Sequence, residues 1–285
     1  MATLVQAAGT IGSRVRTFLD ALRGCEGRRV SAANLRDFYQ QDYTRQNPDL
    51  DRLDATRKAA ALVEACRFAG LSRTRRLLEV GCGSGAVLAK MHAALQAEWS
   101  LGVDYGYPQA RIAATASGVV TLVADGAHLP FGAKPFDFAY VTDVLEHVID
   151  PVGLLVELGR VAQHVGFLVP LESGLIANPL YAYRRVRGKP TNLEYYGHIW
   201  RWFRPEVHAL LRKSDLTVLA ALSRDPGPTE GTLSQAGRAL AATRSVVRRW
   251  SPGVSELLFG GVVLVGVACT ATLLRERGND APDPS

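Results

Sequence analysis

Cysteine is nearly absent from this sequence. Only Cys25, Cys66, Cys82 and Cys269 occur in 285 residues, and they stand far apart. No pair has CxxC or metal-ligand spacing, so no zinc ribbon and no disulfide framework are visible. A reducing, cytoplasmic setting is the expectation. The first residues also lack a charged stretch followed by an apolar one, so no secretory signal is expected. Lysine is scarce, five residues against 28 arginines, a bias that reads as the codon usage of a GC-rich genome rather than as a site. The charge excess is small, +6 with a pI near 9.3. It admits an acidic ligand or an anionic surface without demanding nucleic acid. The basic residues form no single extended stripe and no RNA-binding module is added, so nucleic acid is not an expected partner. Internal repeats are absent. One long uncharged run stands out, LLFGGVVLVGVACTATLL at 257–274. Its three glycines and many β-branched residues favour a buried strand over a membrane-spanning helix.

The composition that remains is that of an ordinary globular protein, 47% hydrophobic and 21% charged. The length suits one large α/β domain with extensions, or two small domains. Residues 1–70 read as an N-terminal helical cap or lid, with amphipathic helices in 1–35, an aromatic polar stretch at 36–50 and a helical pattern at 51–70 closing at Gly70. Strands and helices then alternate: strands at 76–80, 100–104, 119–125, 136–143 and 165–172, with helices at 86–99, 108–116 and 150–162 between them. Apolar strands alternating with helices predict a doubly wound, mostly parallel sheet covered on both faces. Right-handed crossovers place the C-terminal strand ends on one edge, where ligands bind. Insertions are expected at about 173–204 and 225–254 within a domain spanning 71–276, with a disordered tail at 277–285.

The stretch RLLEVGCGSGAVL at 76–88 carries the first chemical signal. Gly81 permits a sharp turn off the strand, Gly83 lets backbone approach a ligand, and Gly85 lets a helix start close to the sheet. The spacing Gly81-x-Gly83-x-x-Ala86 also satisfies a dinucleotide fingerprint, so an NAD(P)-dependent oxidoreductase stays open on the glycines alone. Glu79 weighs against it, because a carboxylate there repels a pyrophosphate at the helix N-terminus and suits an ammonium group. S-adenosylmethionine offers an ammonium, a sulfonium and no phosphate. Asp104, at the end of the next strand, can accept from two vicinal ribose hydroxyls. Tyr105 can lie against an adenine face. Asp125, at the third strand end, is placed to meet an exocyclic amine.

Taken in order, LLEVGCGSG, LGVDYG, VADGAHLPF, FDFAYVTDVLEHV and GHIWRWFRPEVHALLRKSDLTVL resemble the landmarks of class I S-adenosylmethionine-dependent methyltransferases over about residues 74–225. The apolar run at 261–269 resembles that fold's last, antiparallel strand. The resemblance implies a seven-stranded, Rossmann-like sheet with S-adenosylmethionine across the strand ends. It assigns the methionine part to Glu79 and Gly81–Gly85, ribose to Asp104, the adenine edge to Asp125 and Gly126, and the amino-acid backbone to Thr142 and Asp143. Two departures appear: Tyr-Gly-Tyr-Pro follows Asp104, and Ser214-Asp215 stands where a glycine usually precedes the sixth strand.

The reacting groups are expected after the fourth strand. In Asp143-Val-Leu-Glu146-His147 a helical turn would bring Asp143 and Glu146 to one face. His147 is a candidate general base or substrate contact, the alternative being that this stretch shapes the cofactor floor. The pattern also resembles the ExxEH of metal-dependent O-methyltransferases of ubiquinone biosynthesis and small-RNA 2′-O-methylation, which use a later histidine, here His198. That resemblance implies a divalent site at Asp143, Glu146, His147 and His198. The stretch 181–204 is expected to cover the acceptor site, with Tyr181, Tyr183, Tyr195, Tyr196, Trp200, Trp202 and Phe203 as packing groups and Arg184, Arg185, Arg187 and Lys189 for an anion. Tyr39 and Tyr43 would close the lid. Arg238, Arg244, Arg248 and Arg249 mark a basic helix near 234–250, read as a solvated face, with peripheral membrane contact as the alternative. The expected activity is methyl transfer to a small-molecule acceptor, an oxygen of a natural product, quinone or lipid-like compound being favoured. The competing reading is a fold that binds the cofactor but catalyses a non-methylating reaction such as cyclisation.

Overall fold

The computed structural model describes residues 38–39, 50–188, 197–224, 235–271 and 273. The helices expected in 1–35, Cys25, Tyr43, Lys189, Tyr195, Tyr196 and the tail at 277–285 lie outside the described residues. Helix α1 (Leu50–Phe68) precedes β1 (Arg76–Val80), α2 (Ala86–Ala94), β2 (Trp99–Asp104), α3 (Tyr107–Ile112) and β3 (Val120–Val123). Then come β4 (Phe136–Thr142), α4 (Pro151–Val161), β5 (Ala162–Leu171), α5 (Ala177–Val186), α6 (Arg204–Lys213), β6 (Leu216–Arg224), α7 (Gln235–Trp250), α8 (Pro252–Phe259) and β7 (Val262–Thr270).

The seven strands form one sheet in the order β3-β2-β1-β4-β5-β7-β6. β1 pairs in parallel with β2 and β4, β2 with β3, and β4 with β5. β7 runs antiparallel between β5 and β6. The order reverses between β1 and β2 on one side and β4 on the other, so their C-terminal ends flank a crevice. Both faces are covered, which is why the strands read as apolar runs. Leu78 and Val80 of β1 join the core under α4 and α6, and Leu77 joins the core under α1 and α2. The uncharged run at 257–274 divides into the end of α8 and the buried strand β7. Among the described residues no helix is long and apolar enough to cross a membrane. Cys66, Cys82 and Cys269 are buried and form no disulfide among the described residues, and burial pushes the Cys66 thiol up to about 12.

Several element ends differ from expectation for local reasons. The helix expected over 86–99 stops at Ala94, since Gln96 takes a left-handed backbone (φ 50°) and Trp99 already pairs with Arg76. The helix expected at 108–116 changes to a π-helical turn over Ala113–Ser117 and ends on left-handed Gly118. β5 starts at Ala162, directly at the end of α4, three residues earlier than expected.

Asp215 explains one departure noted in the sequence. It follows the C-cap of α6 with φ 55°, the backbone region that favours the glycine usual there. Aspartate tolerates this region better than β-branched residues do. Asp215→Gly is expected to stay within about 1 kcal/mol of the parent. Asp215→Val is expected to cost about 1–2 kcal/mol, roughly 2–4 °C per kcal/mol in a chain of this size. Thermal unfolding of the two variants checks this, and equal melting temperatures would contradict the left-handed geometry.

Candidate functional site

The site starts from the turn after β1. Gly81, Gly83 and Gly85 all have left-handed backbones, φ 74°, 50° and 73°. The turn folds back on β2: the N–H groups of Gly81 and Cys82 both donate to the Val103 carbonyl, at 2.7 and 3.0 Å. Two of the three glycines are also fixed by packing. A Cβ on Gly81 would lie 2.5 Å from Val144 Cγ2, and one on Gly85 would lie 2.7 Å from Val119 Cγ2. The Gly83 N–H donates to Asp104 Oδ2 at 2.9 Å, and the Gly106 N–H donates to Asp104 Oδ1 at 2.8 Å. One carboxylate thus ties the turn after β1 to the turn after β2. Each of its oxygens has a second lone-pair site in the chemistry of carboxylates.

Glu79 is buried, 1% exposed, and accepts from the Thr142 hydroxyl at 3.1 Å. It forms the floor between β1 and β4. Tyr105 is half-buried after Asp104. Asp125 accepts from the Ala127 N–H at 3.0 Å and lies 3.3 Å from His128 Nδ1, closing its own exposed turn. Gly126 sits where a Cβ would meet Val80 Cγ1 at 2.7 Å, so packing over the end of β1 requires it.

The loop after β4 corrects one expectation. Asp143-Val-Leu-Glu146-His147 is a hydrogen-bonded turn, His147 N–H to Val144 carbonyl at 2.9 Å, not a helical turn with both acids on one face. Asp143 has φ 51°. Its carboxylate pairs with Lys58 of α1 at 2.7 Å, and its N–H donates to the Leu168 carbonyl. Glu146 is 1% exposed, and neither carboxylate oxygen has a hydrogen-bond partner from another described residue. Its backbone carbonyl accepts from the N–H groups of Ile199 and Trp200, at 2.8 and 3.1 Å. That pair of bonds brings His198 to His147. The two rings meet edge to face, centroids 4.8 Å apart. His147 Nδ1 lies 3.2 Å from the Gly197 carbonyl, an acceptor only, so Nδ1 carries the proton and Nε2 presents its lone pair. Nε2 is 3.9 Å from Glu146 Oε1. His198 Nδ1 is 3.1 Å from Glu172 Oε1, just past the end of β5.

The electrostatics follow from these contacts. Burial, then the negative charge of Asp143, pushes the Glu146 carboxyl up to about 8. Burial and the neighbouring His198 cation hold His147 well below its usual value. Burial alone would also lower His198, but Glu172 outweighs it and carries His198 up to about 9. The cluster is thus biased towards a neutral His147 imidazole, a protonated Glu146 carboxyl and a His198 imidazolium. Ligand atoms of Glu146, His147 and His198 lie within 4.8 Å of one another. Asp143 is not among them, because Lys58 holds it.

Tyr39 spans the crevice. Its ring meets His147 edge to face at 5.9 Å, and its carbonyl accepts from Gln109 at the start of α3. Part of the aromatic insertion is core instead of cover: Tyr181 and Trp202 are buried, Trp202 stacks on Trp200 at 5.4 Å, and Arg201 lies 3.9 Å over the Tyr181 ring. Tyr183 is exposed. Sequence reasoning missed Lys58, Gly197 and Glu172. A signal existed for Glu172, an acid following the apolar strand VGFLVPL as Asp104 and Asp125 follow theirs. Lys58 and Gly197 carried none.

The donor set fits a cationic, phosphate-free ligand. Carboxylates stand at the ends of β1 and β2 and just after β3, and the turn between them is held by a carboxylate rather than a cation. Residues 78–169 match the family model described as a methyltransferase domain. No curated protein matches the sequence. Solved structures with the same fold include a chain of the complex between the Haloferax volcanii Trm112 methyltransferase activator and a methyltransferase. It is 16% identical, covers 83% of this chain and 97% of that one, and gives a TM-score of 0.56. A Haemonchus contortus phosphoethanolamine N-methyltransferase in complex with S-adenosylhomocysteine is 14% identical over 85% of this chain and 60% of that one, with a TM-score of 0.54. The [4+2]-cyclase SpnF is 16% identical over 74% of this chain and 81% of that one, with a TM-score of 0.50. At these identities the likeness is one of fold. Residues 78–169 thus match a methyltransferase domain, and the chain has the fold of class I, S-adenosylmethionine-dependent methyltransferases.

Proposed function

We propose that this methyltransferase alkylates an oxygen of a small-molecule acceptor, of the natural-product, quinone or lipid-like kind, with His147 as the general base. S-adenosylmethionine, when bound, supplies a methyl group already activated as a sulfonium. In this reading Glu79 and the Gly81–Gly83–Gly85 turn hold its amino-acid part, Asp104 and Tyr105 its ribose and adenine face, and Asp125 and Gly126 its adenine edge. Thr142 lends its hydroxyl through Glu79. Asp143 is left its backbone carbonyl, since its carboxylate and N–H are engaged. The lid is the segment that contains Tyr39.

The observation that carries the reading is the 3.2 Å contact between His147 Nδ1 and the Gly197 carbonyl, which assigns the tautomer. Its Nδ1–H is directed at the Gly197 carbonyl, and Nε2 is unprotonated because burial and His198 oppose a second positive charge. A hydroxyl oxygen becomes strongly acidic as it forms its new bond to carbon. A weak base held in place then suffices to take the proton. His198 and Glu172 position His147 by packing and charge. Asp104→Ala is expected to weaken S-adenosylmethionine binding roughly 10–100-fold in calorimetry, the scale of losing hydrogen bonds to a charged group. Near-parent affinity would remove Asp104 from the ribose site.

His147→Ala is expected to lower kcat by about 10²–10⁴-fold with cofactor affinity little changed. The parent rate should fall on the acid side of pH 6.5, where His147 gains its proton, since its value is held below the ordinary one. A pH-independent rate from acid to neutral would contradict the assignment. Cofactor binding without label transfer to any extracted metabolite would favour a non-methylating reaction such as cyclisation.

A divalent ion at Glu146, His147 and His198 is a second reading, favoured by the convergence of their ligand atoms and the unpartnered Glu146 oxygens. Dialysis against a chelator separates the two. The base reading expects turnover to persist, and loss that added magnesium or zinc restores would establish the metal.

A further inference from the structure

We propose that α5, α7 and α8 form a docking face for an anionic lipid bilayer, from which the enzyme takes its acceptor. The second clause rests on the acceptor reading above; the first does not. Eight of the fifteen exposed large apolar side chains among the described residues fall on these helices and their joins. They include Leu175 just before α5, Leu180 and Tyr183 on it, Trp250 ending α7, and Val254 and Leu257 on α8. Trp250 is 88% exposed, the largest exposure of that group. The pieces are contiguous. The N–H groups of Leu175 and Ile176 donate to the carbonyls of Leu257 and Leu258, and Ser255 Oγ donates to the Arg244 carbonyl.

The described charges on α5 and α7 are of one sign. α5 contains Arg184 and Arg185 and is followed by Arg187, and the described part of α7 carries Arg244, Arg248 and Arg249; neither helix contains an acid. The one acid of α8, Glu256, is held by Arg204 in two hydrogen bonds of 2.7 Å. Scattered apolar groups with a terminal tryptophan, framed by arginines, are what an anionic interface selects. A second copy of the same face is disfavoured, because a symmetric contact would set arginines against arginines. This reading takes up the alternative to a solvated face for the basic helix.

The face also shares a wall with the reaction edge. A cavity of about 470 Å³ lies beneath it, lined by Leu171, Phe203, Arg248, Pro252, Leu257 and Val262. Arg248 and Leu257 belong to the docking helices. Leu171 is followed by Glu172, the partner of His198. An amphiphile whose apolar part entered this cavity from the bilayer would lie one residue's thickness from the histidine pair.

The test is co-sedimentation of the full chain with phosphatidylcholine vesicles, with and without phosphatidylglycerol. Binding is expected to the anionic vesicles alone, reversed by salt. The triple variant Arg184→Gln, Arg187→Gln, Arg249→Gln should lower partition on the order of 100-fold, and Trp250→Ser should weaken it, both with unchanged thermal unfolding. Equal binding to neutral vesicles, or no binding to either, would overturn the proposal. So would a concentration-dependent dimer, seen by light scattering, that Trp250→Ser dissolves. Vesicle binding combined with no label transfer to extracted lipids would keep the docking face and overturn the lipid-acceptor reading.

Discussion

The Asp104 carboxylate is the constraint on which the crevice depends. It accepts from Gly83 on one side and Gly106 on the other, so the loops after β1 and β2 have a common anchor. The Val103 carbonyl, one residue earlier, accepts two more N–H groups from the first loop. A turn of three left-handed glycines is entropically costly, and these bonds offset that cost. Hydrogen bonds from backbone N–H groups to a carboxylate are each worth about 1.5–3 kcal/mol. The same anchoring sets the start of α2 and α3 and hence the width of the crevice. Tyr39 then reaches across it, from Gln109 on α3 to His147 on the far side.

The histidine cluster shows how paired charges can keep a buried centre neutral. Asp143 is paired with Lys58, and His198 with Glu172. Each pair still acts on the group between them. The negative side of the first pushes Glu146 towards its protonated form, and the positive side of the second pushes His147 towards its neutral one. Burial acts in the same direction on both. An ionised pair at the centre would carry the desolvation cost of two more buried charges. The neutral pair avoids it and leaves a lone pair on His147 Nε2. Glu146 also works through its backbone, whose carbonyl fixes the segment that carries His198.

The sheet was legible because strand burial leaves a direct mark: residues buried on both faces must be apolar, and the acids appear where each strand ends. Glu79, Asp104 and Asp125 were found by that break in pattern. The antiparallel last strand was legible only through the family resemblance, since an apolar run carries no sign of its direction. Other features had no local mark. Asp143 meets Lys58 across 85 positions of sequence, and the pairing follows from α1 packing on the sheet. The histidine contact depends on two backbone bonds to Glu146, and backbone bonds leave no trace in side-chain identity. The helical turn expected at 143–147 failed at Asp143, whose left-handed backbone interrupts it.

The end of β5 joins the two halves of the functional reading. Side chains alternate along a strand and often just beyond it. Leu171 and Ser173 line the cavity, and Glu172 between them reaches His198. The cavity and the histidine pair therefore lie against opposite sides of one short segment. Arg201 donates to the Glu172 carbonyl, and Ser173 donates to the Arg201 carbonyl, so this wall is fixed to the segment that carries His198. A polar group on the cavity side can feel the His198–Glu172 pair through a single residue's thickness of protein. In the proposed reading the docking face and the base share this wall: α5 follows β5 in the chain, and Glu172, just past β5, raises His198 beside His147.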